Sequence, residues 1–123
     1  MNIVQARQEL PKQKRLCVFG FPERDFFLEE AYVGEVVENV SLFPIPGDAD
    51  YRFGALPTRG KIIPAVDLSK IYHVERQALK DIRMVVAHVD DRKIGFISQI
   101  APYFVTFDDD IAVDDLIDPR SLL

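Results

Sequence analysis

Two histidines, a single cysteine, a crowded set of aspartates and an arginine beside a glycine are the residues of this 123-residue chain whose types could do chemistry. His88 alternates within "VVAHVD" and reads as a strand side chain rather than a base; His73, in the polar stretch "HVERQALKD", reads as solvent-exposed. Cys17 lies in the apolar "RLCVFGF" with no obvious cationic neighbour to lower its pKa, so it reads as a small hydrophobe. Asp108, Asp109, Asp110, Asp114, Asp115 and Asp118 crowd eleven positions, and hard cations favour such oxygens. The alternating carboxylates, central Gly and terminal Glu of a calcium loop are missing from that run, so it reads as a solvated acidic loop. In "TRGK", Arg59, Gly60 and Lys61 could meet a phosphate, but a phosphate cradle needs more glycines and a following helix. No G-x-S-x-G, H-E-x-x-H or CxxC pattern is present. Convergent reactive groups are lacking, and the chain reads as one that binds without catalysing, with no metal and no cofactor.

The elements that must position these residues are short. "RLCVFGF" (residues 15–21) and "FFLEE" read as two strands joined by a turn at "PERD". "AYVGEVVENVSLFPIP" suits strands and a short turn, and "GDADY" a loop. "FGALPTRG" reads as a strand running into a turn at Pro57 to Gly60, and "KIIPAVDL" as the next strand, with Ile62, Ile63 and Val66 in the core. Pro64 cannot donate to a ladder, which places it at an edge or a bulge. "DLSKIY" reads as one helical turn capped by Asp67. "IRMVVAHVD" and "DRKIGFISQI" form the clearest hairpin, with its charged turn near Asp90 to Lys93. The tail offers one more strand and a terminal helical turn. Many short strands and no long helix point to an all-β barrel or a pair of barrels.

Composition sets the outer bounds. The length fits one domain with its own core: residues 1–14 read as a flexible arm and 15–123 as the domain. A net charge of -5 argues against a general affinity for nucleic acid or an anionic membrane surface. One cysteine permits no internal disulfide, the first residues lack the apolar core of a signal peptide, and no apolar run spans a bilayer. The expectation is a cytoplasmic domain.

Against this reading, "FGALPTRGKIIPAVDLSKIY" resembles the central signature of CheW-like domains, G-(V/A)-x-N-x-R-G-x-(I/V)-(I/V)-P-(V/I)-x-D-L followed by a short helix. Gly54, Arg59, Gly60, Ile62, Ile63, Pro64, Asp67 and Leu68 fall on it. Val33, Glu35 and Val36 are in step with the family's upstream strand, and "IRMVVAHVDDRKIGFISQI" with its downstream hairpin. The resemblance covers roughly residues 15–101. It implies two small SH3-like β-barrel lobes sharing an apolar core, and no catalytic activity. It further implies an adaptor that binds the cytoplasmic signalling tip of a methyl-accepting chemoreceptor and couples it to a CheA-type histidine kinase. Two departures stand out: Pro57 replaces the usual Asn, and 20 to 30 residues of the second lobe are compressed, so that lobe should be abbreviated. The shortening leaves open whether the kinase is recruited and whether the chain self-associates through the incomplete lobe.

Carried over residue by residue, the resemblance makes Arg59, Glu35 and Val33 receptor contacts, with Glu35 facing Arg59 across an ion pair. Gly54 and Gly60 serve backbone geometry, and Pro64 and Asp67 shape the strand and its cap. A second reading is an unrelated SH3-like module for Pro-rich peptides, with Tyr32, Tyr51 and Tyr72 as its aromatic surface.

Overall fold

The computed structural model describes residues 13–42, 52–58, 61–78, 80–108 and 114–123. Within these residues, eight strands form two sheets. β1 (Gln13–Phe21), β2 (Arg24–Glu29) and β8 (Tyr103–Asp108) make a three-stranded sheet in the order β2-β1-β8. β3 (Val33–Val37), β4 (Arg52–Thr58), β5 (Lys61–Val66), β6 (Arg83–Val89) and β7 (Arg92–Ser98) make a five-stranded sheet in the order β3-β6-β7-β5-β4. The first strand begins at Gln13, two residues before the predicted Arg15.

Local chemistry accounts for the hairpins. Phe21 pairs with Arg24 across the two-residue turn Pro22–Glu23, and alternation sends Cys17, Phe19, Phe21, Phe26 and Leu28 inward, all fully buried. The β6–β7 hairpin turns at Asp90 and Asp91, with Asp90 at φ 56, a left-handed conformation that Asp tolerates. β4 and β5 close with Thr58 opposite Lys61. β5 then runs parallel to β7, pairing Ala65 with Gly95 and Val66 with Phe96. One helical turn, α1 (Leu68–Ile71), and two 3-10 turns, Glu30–Tyr32 and Pro119–Leu122, complete the described elements.

One apolar core joins the sheets. Phe19 of the three-stranded sheet meets Phe96 of the five-stranded sheet at 5.7 Å between ring centroids, within a cluster running from Cys17 to Ile117. A polar seam lies beside it: Gly20 N–H donates to the buried Ser98 hydroxyl at 2.9 Å, and Gln99 N–H donates to the Gly20 carbonyl at 2.7 Å. Gly20 sits at φ 128, and a Cβ there would lie 2.7 Å from the Arg24 carbonyl oxygen, so no other residue fits this close approach.

Among the described residues the second lobe contributes three strands, against five in the other sheet. Its β2 edge is covered by the tail, in which Phe27 N–H donates to the Asp115 carbonyl and Ile117 N–H to the Phe27 carbonyl. Arg24 fastens the same tail: Nη2 lies 2.5 Å from Asp115 Oδ1, and the guanidinium stacks 4.8 Å from the Tyr72 ring centroid and 5.2 Å from that of Phe26. The hydrogen bond to Asp115 is the first cause that raises the Arg24 pKa above its ordinary value.

Candidate functional site

Two of the three predicted receptor contacts, Val33 and Glu35, lie on β3, the terminal strand of the five-stranded sheet. Its pairing with β6 sets Val33 opposite Ala87, then skips: Glu35 stands opposite Val86, Val36 opposite Val85 and Val37 opposite Met84. Gly34 is the extra residue of a β-bulge. Adjacent residues of β6 point to opposite faces, so Val33 and Glu35, two apart in sequence, do as well. Val33 and Val36 share the face of Ala87 and Val85. That face also carries Phe96, paired with Val85 and stacked on Phe19, and so it turns toward the three-stranded sheet. Glu35 lies on the other face, with His88 and Lys93 further along. Val33 is half-buried against the core, Val36 is 37% exposed, and Glu35 is exposed with no ion-pair partner among the described residues. The strand edge thus carries valines on one side and a carboxylate on the other.

Arg59 and Gly60, which separate the paired residues Thr58 and Lys61, lie outside the described residues, as does the predicted Glu35–Arg59 pair. The N-terminal stretch 1–12, the loop "GDADY" and Asp109 and Asp110 of the acidic run also lie outside them. Gly54 is buried beside a register shift in β4 between Arg52 and Gly54. Pro64 faces Ala55 of β4, and β7 joins β5 only from Ala65 onward, so β5 is a local edge along Lys61–Pro64 although the strand lies inside the sheet order.

Asp67 is fully buried at the N-cap of α1, where its Oδ1 accepts from Ser69 N–H at 3.0 Å and from the Ser69 hydroxyl at 2.6 Å. Its Oδ2 accepts from Arg76 Nη2 at 2.7 Å. Arg76 also donates from Nε to the Ser69 oxygen and lies 5.8 Å from the Phe21 ring centroid. This network was hidden in sequence because Arg76 stands in a polar stretch that reads as a plain linker.

One core assignment is corrected. Ile63 and Val66 are buried, but Ile62 is 72% exposed, because strand alternation that sends Ile63 inward must send Ile62 out. Ile62 instead lines a hollow of about 440 Å³ with Lys61, Pro64, Arg92, Lys93 and Leu122.

The groups considered for reactive chemistry stay apart in character. Cys17 is fully buried, and burial pushes its thiol up to about 11. His73 and His88 are exposed. Among the described residues no three His, Cys, Asp or Glu side chains gather to hold a metal ion, and no helix is long and apolar enough to cross a membrane. Of the candidate aromatic surface, the two described tyrosines have separate partners. Tyr72 packs on Phe26 and Arg24, Tyr32 lies beneath Arg120, and Tyr51 is outside the described residues.

Comparison with known proteins agrees with this architecture. The model of the CheW-like domain matches residues 15–109, and the chain belongs to the CheW-like family. It is 27% identical over 86 residues to the chemotaxis protein CheW of Thermotoga maritima, an alignment covering 70% of this chain and 57% of that protein. It superposes with a TM-score of 0.71 and 28% identity on the crystal structure of the scaffolding protein TtCheW from Thermoanaerobacter tengcongensis, covering 82% of this chain and 66% of that one. The chain thus spans somewhat over half to two thirds of the relatives it matches.

Proposed function

We propose that this protein is a non-enzymatic adaptor of a bacterial chemosensory pathway, seating the helical signalling tip of a chemoreceptor along the edge of β3. The observation that carries the reading is that edge: Val33 and Val36 toward the inter-sheet side, and the exposed Glu35 on the opposite face. An amphipathic helix laid there finds apolar anchors and one charge that fixes its orientation. Arg59 is a further receptor contact in this reading, on the strength of the resemblance of "TRGKIIPAVDL" to the family signature within the matched span.

A CheA-type kinase takes a second surface, the Lys61–Pro64 edge of β5. Ile62 is its exposed apolar centre, and Lys61, Arg92 and Lys93 have no carboxylate partner among the described residues. This surface belongs to the five-stranded sheet, so the shortened lobe does not remove it. The names of the relatives, a chemotaxis protein and a scaffolding protein, support the same class of role.

Reconstitution of receptor, kinase and this protein tests the proposal. Kinase activation that depends on the added chain is the expected result. Receptor binding without activation would reduce it to a receptor-side adaptor, and binding to neither partner would overturn the reading.

A further inference from the structure

Nothing in the amide geometry of Gly34 demands glycine: its φ lies outside the left-handed region, where only Gly20 among the described glycines is found. What a side chain there would meet is the ring of His88. A Cβ built on Gly34 would lie 2.0 Å from His88 Cδ2, 2.1 Å from Nε2 and 2.9 Å from Cε1. The imidazole of an otherwise exposed residue is thus laid against the backbone of β3 at the one residue that the ladder skips.

We propose that His88 is a positioning residue for the receptor-facing strand, and that its ring on Gly34 locks the bulge that divides Val33 and Glu35 between two faces. The inference rests on the proposed receptor reading for its purpose, but not for its geometry. Without the bulge, β3 would continue in plain register from Val33 opposite Ala87. Gly34 would then face Val86, Glu35 would face Val85 and Val36 would face Met84. A one-residue slip transfers every following side chain to the other face. Glu35 would turn toward the inter-sheet side, and Val36 would leave Val33. The valine pair and the Glu35 carboxylate exist as separate features only while the bulge stays at Gly34. Ring and glycine form one device: the ring needs a residue without Cβ beneath it, and the extra residue needs a flat group over it.

The test is amide NMR of the full chain, reading cross-strand contacts of Glu35 in wild type, His88→Ala and His88→Phe. His88 is exposed, so these variants keep the core intact. The wild type should show Glu35 against Val86 alone. His88→Ala should add a second set of signals with Glu35 against Val85, and the flat ring of His88→Phe should restore the single register. In parallel titrations with a receptor-tip fragment, His88→Ala should bind about tenfold more weakly if a tenth of the chains retain the competent register. His88→Phe should bind like wild type. A single native register in His88→Ala, or two registers in His88→Phe, would overturn the inference. If the wild type fails to bind the receptor tip, the functional reading falls, while the NMR registers still decide the role of His88.

Discussion

Arg76 reaches back nine residues to place Nη2 2.7 Å from Asp67 Oδ2, and the carboxyl side chain it meets is 1% exposed. The same carboxylate caps α1 through Ser69, so one buried charge ends β5, starts the helical turn and anchors the polar connection to β6. Removing one partner of a buried pair leaves the other charge stranded, at a cost of about 3–5 kcal/mol. Arg76→Ala should therefore lower the unfolding free energy by about 3 kcal/mol, since the two Ser69 bonds to Asp67 remain. Asp67→Ala should cost more, because it also removes a helix cap worth about 1 kcal/mol. Urea unfolding of the two variants checks the order; an Arg76→Ala protein as stable as wild type would refute it.

The clasp between Arg24 and Asp115 should behave differently, because both side chains are partly exposed, 32% and 26%. Asp115→Ala should cost only about 1 kcal/mol globally. It should nevertheless speed hydrogen exchange at Phe27 and Ile117, whose amides bond across the tail contact. Arg24→Lys keeps the charge but loses the fork and the stacking on Tyr72 and Phe26, so it should behave nearly like the Asp115 variant. Unchanged exchange at both amides would show that the tail is held without the clasp.

Ile62→Asp separates packing from binding. A side chain this exposed should change stability by no more than about 0.5 kcal/mol. Calorimetric titration with the kinase's regulatory domain should nonetheless lose its signal, because the apolar centre of the Lys61–Pro64 edge has become charged. A large loss of stability would return Ile62 to the core, and undiminished binding would move the kinase surface elsewhere.

Cys17 supplies a pH prediction with a definite sign. Burial raises its pKa from the ordinary 9.0 to about 11, so the folded protein holds its proton where the unfolded chain releases it. The contribution is fully present below pH 9 and is lost as pH rises from 9 toward 11. At about 1.4 kcal/mol per pH unit, the loss is at most about 3 kcal/mol. In urea unfolding between pH 8 and pH 10.5, the wild type should lose stability relative to Cys17→Ala, in which the titration is absent. A constant difference between the two would show that the folded and unfolded thiols titrate alike.

Much of the fold was legible because its signals are local. The β1–β2 and β6–β7 hairpins follow from alternating apolar residues around "PE" and "DD", and the capped turn at Asp67 from one Asp before "LSK". Ile62 was misread because "IIPAV" is apolar throughout, and only the pairing shows which of two adjacent isoleucines faces out. The bulge at Gly34 left no mark in sequence, since an extra residue is defined by the partner strand. The same holds for the ring of His88, which comes to Gly34 from 54 positions away. The Arg76–Asp67 pair and the Arg24–Asp115 clasp likewise join segments that sequence order keeps apart.

The most direct measurement of the central claim is calorimetric titration of the full chain with a receptor signalling-tip fragment, repeated with Val36→Asp, Glu35→Ala and Arg59→Ala. Wild type should bind. Val36→Asp should abolish binding by placing a charge on the apolar side of the β3 edge, and the other two should each weaken it by about 1–3 kcal/mol. Binding that survives all three substitutions unchanged, or no binding by the wild type, would contradict the assignment of this edge to a receptor.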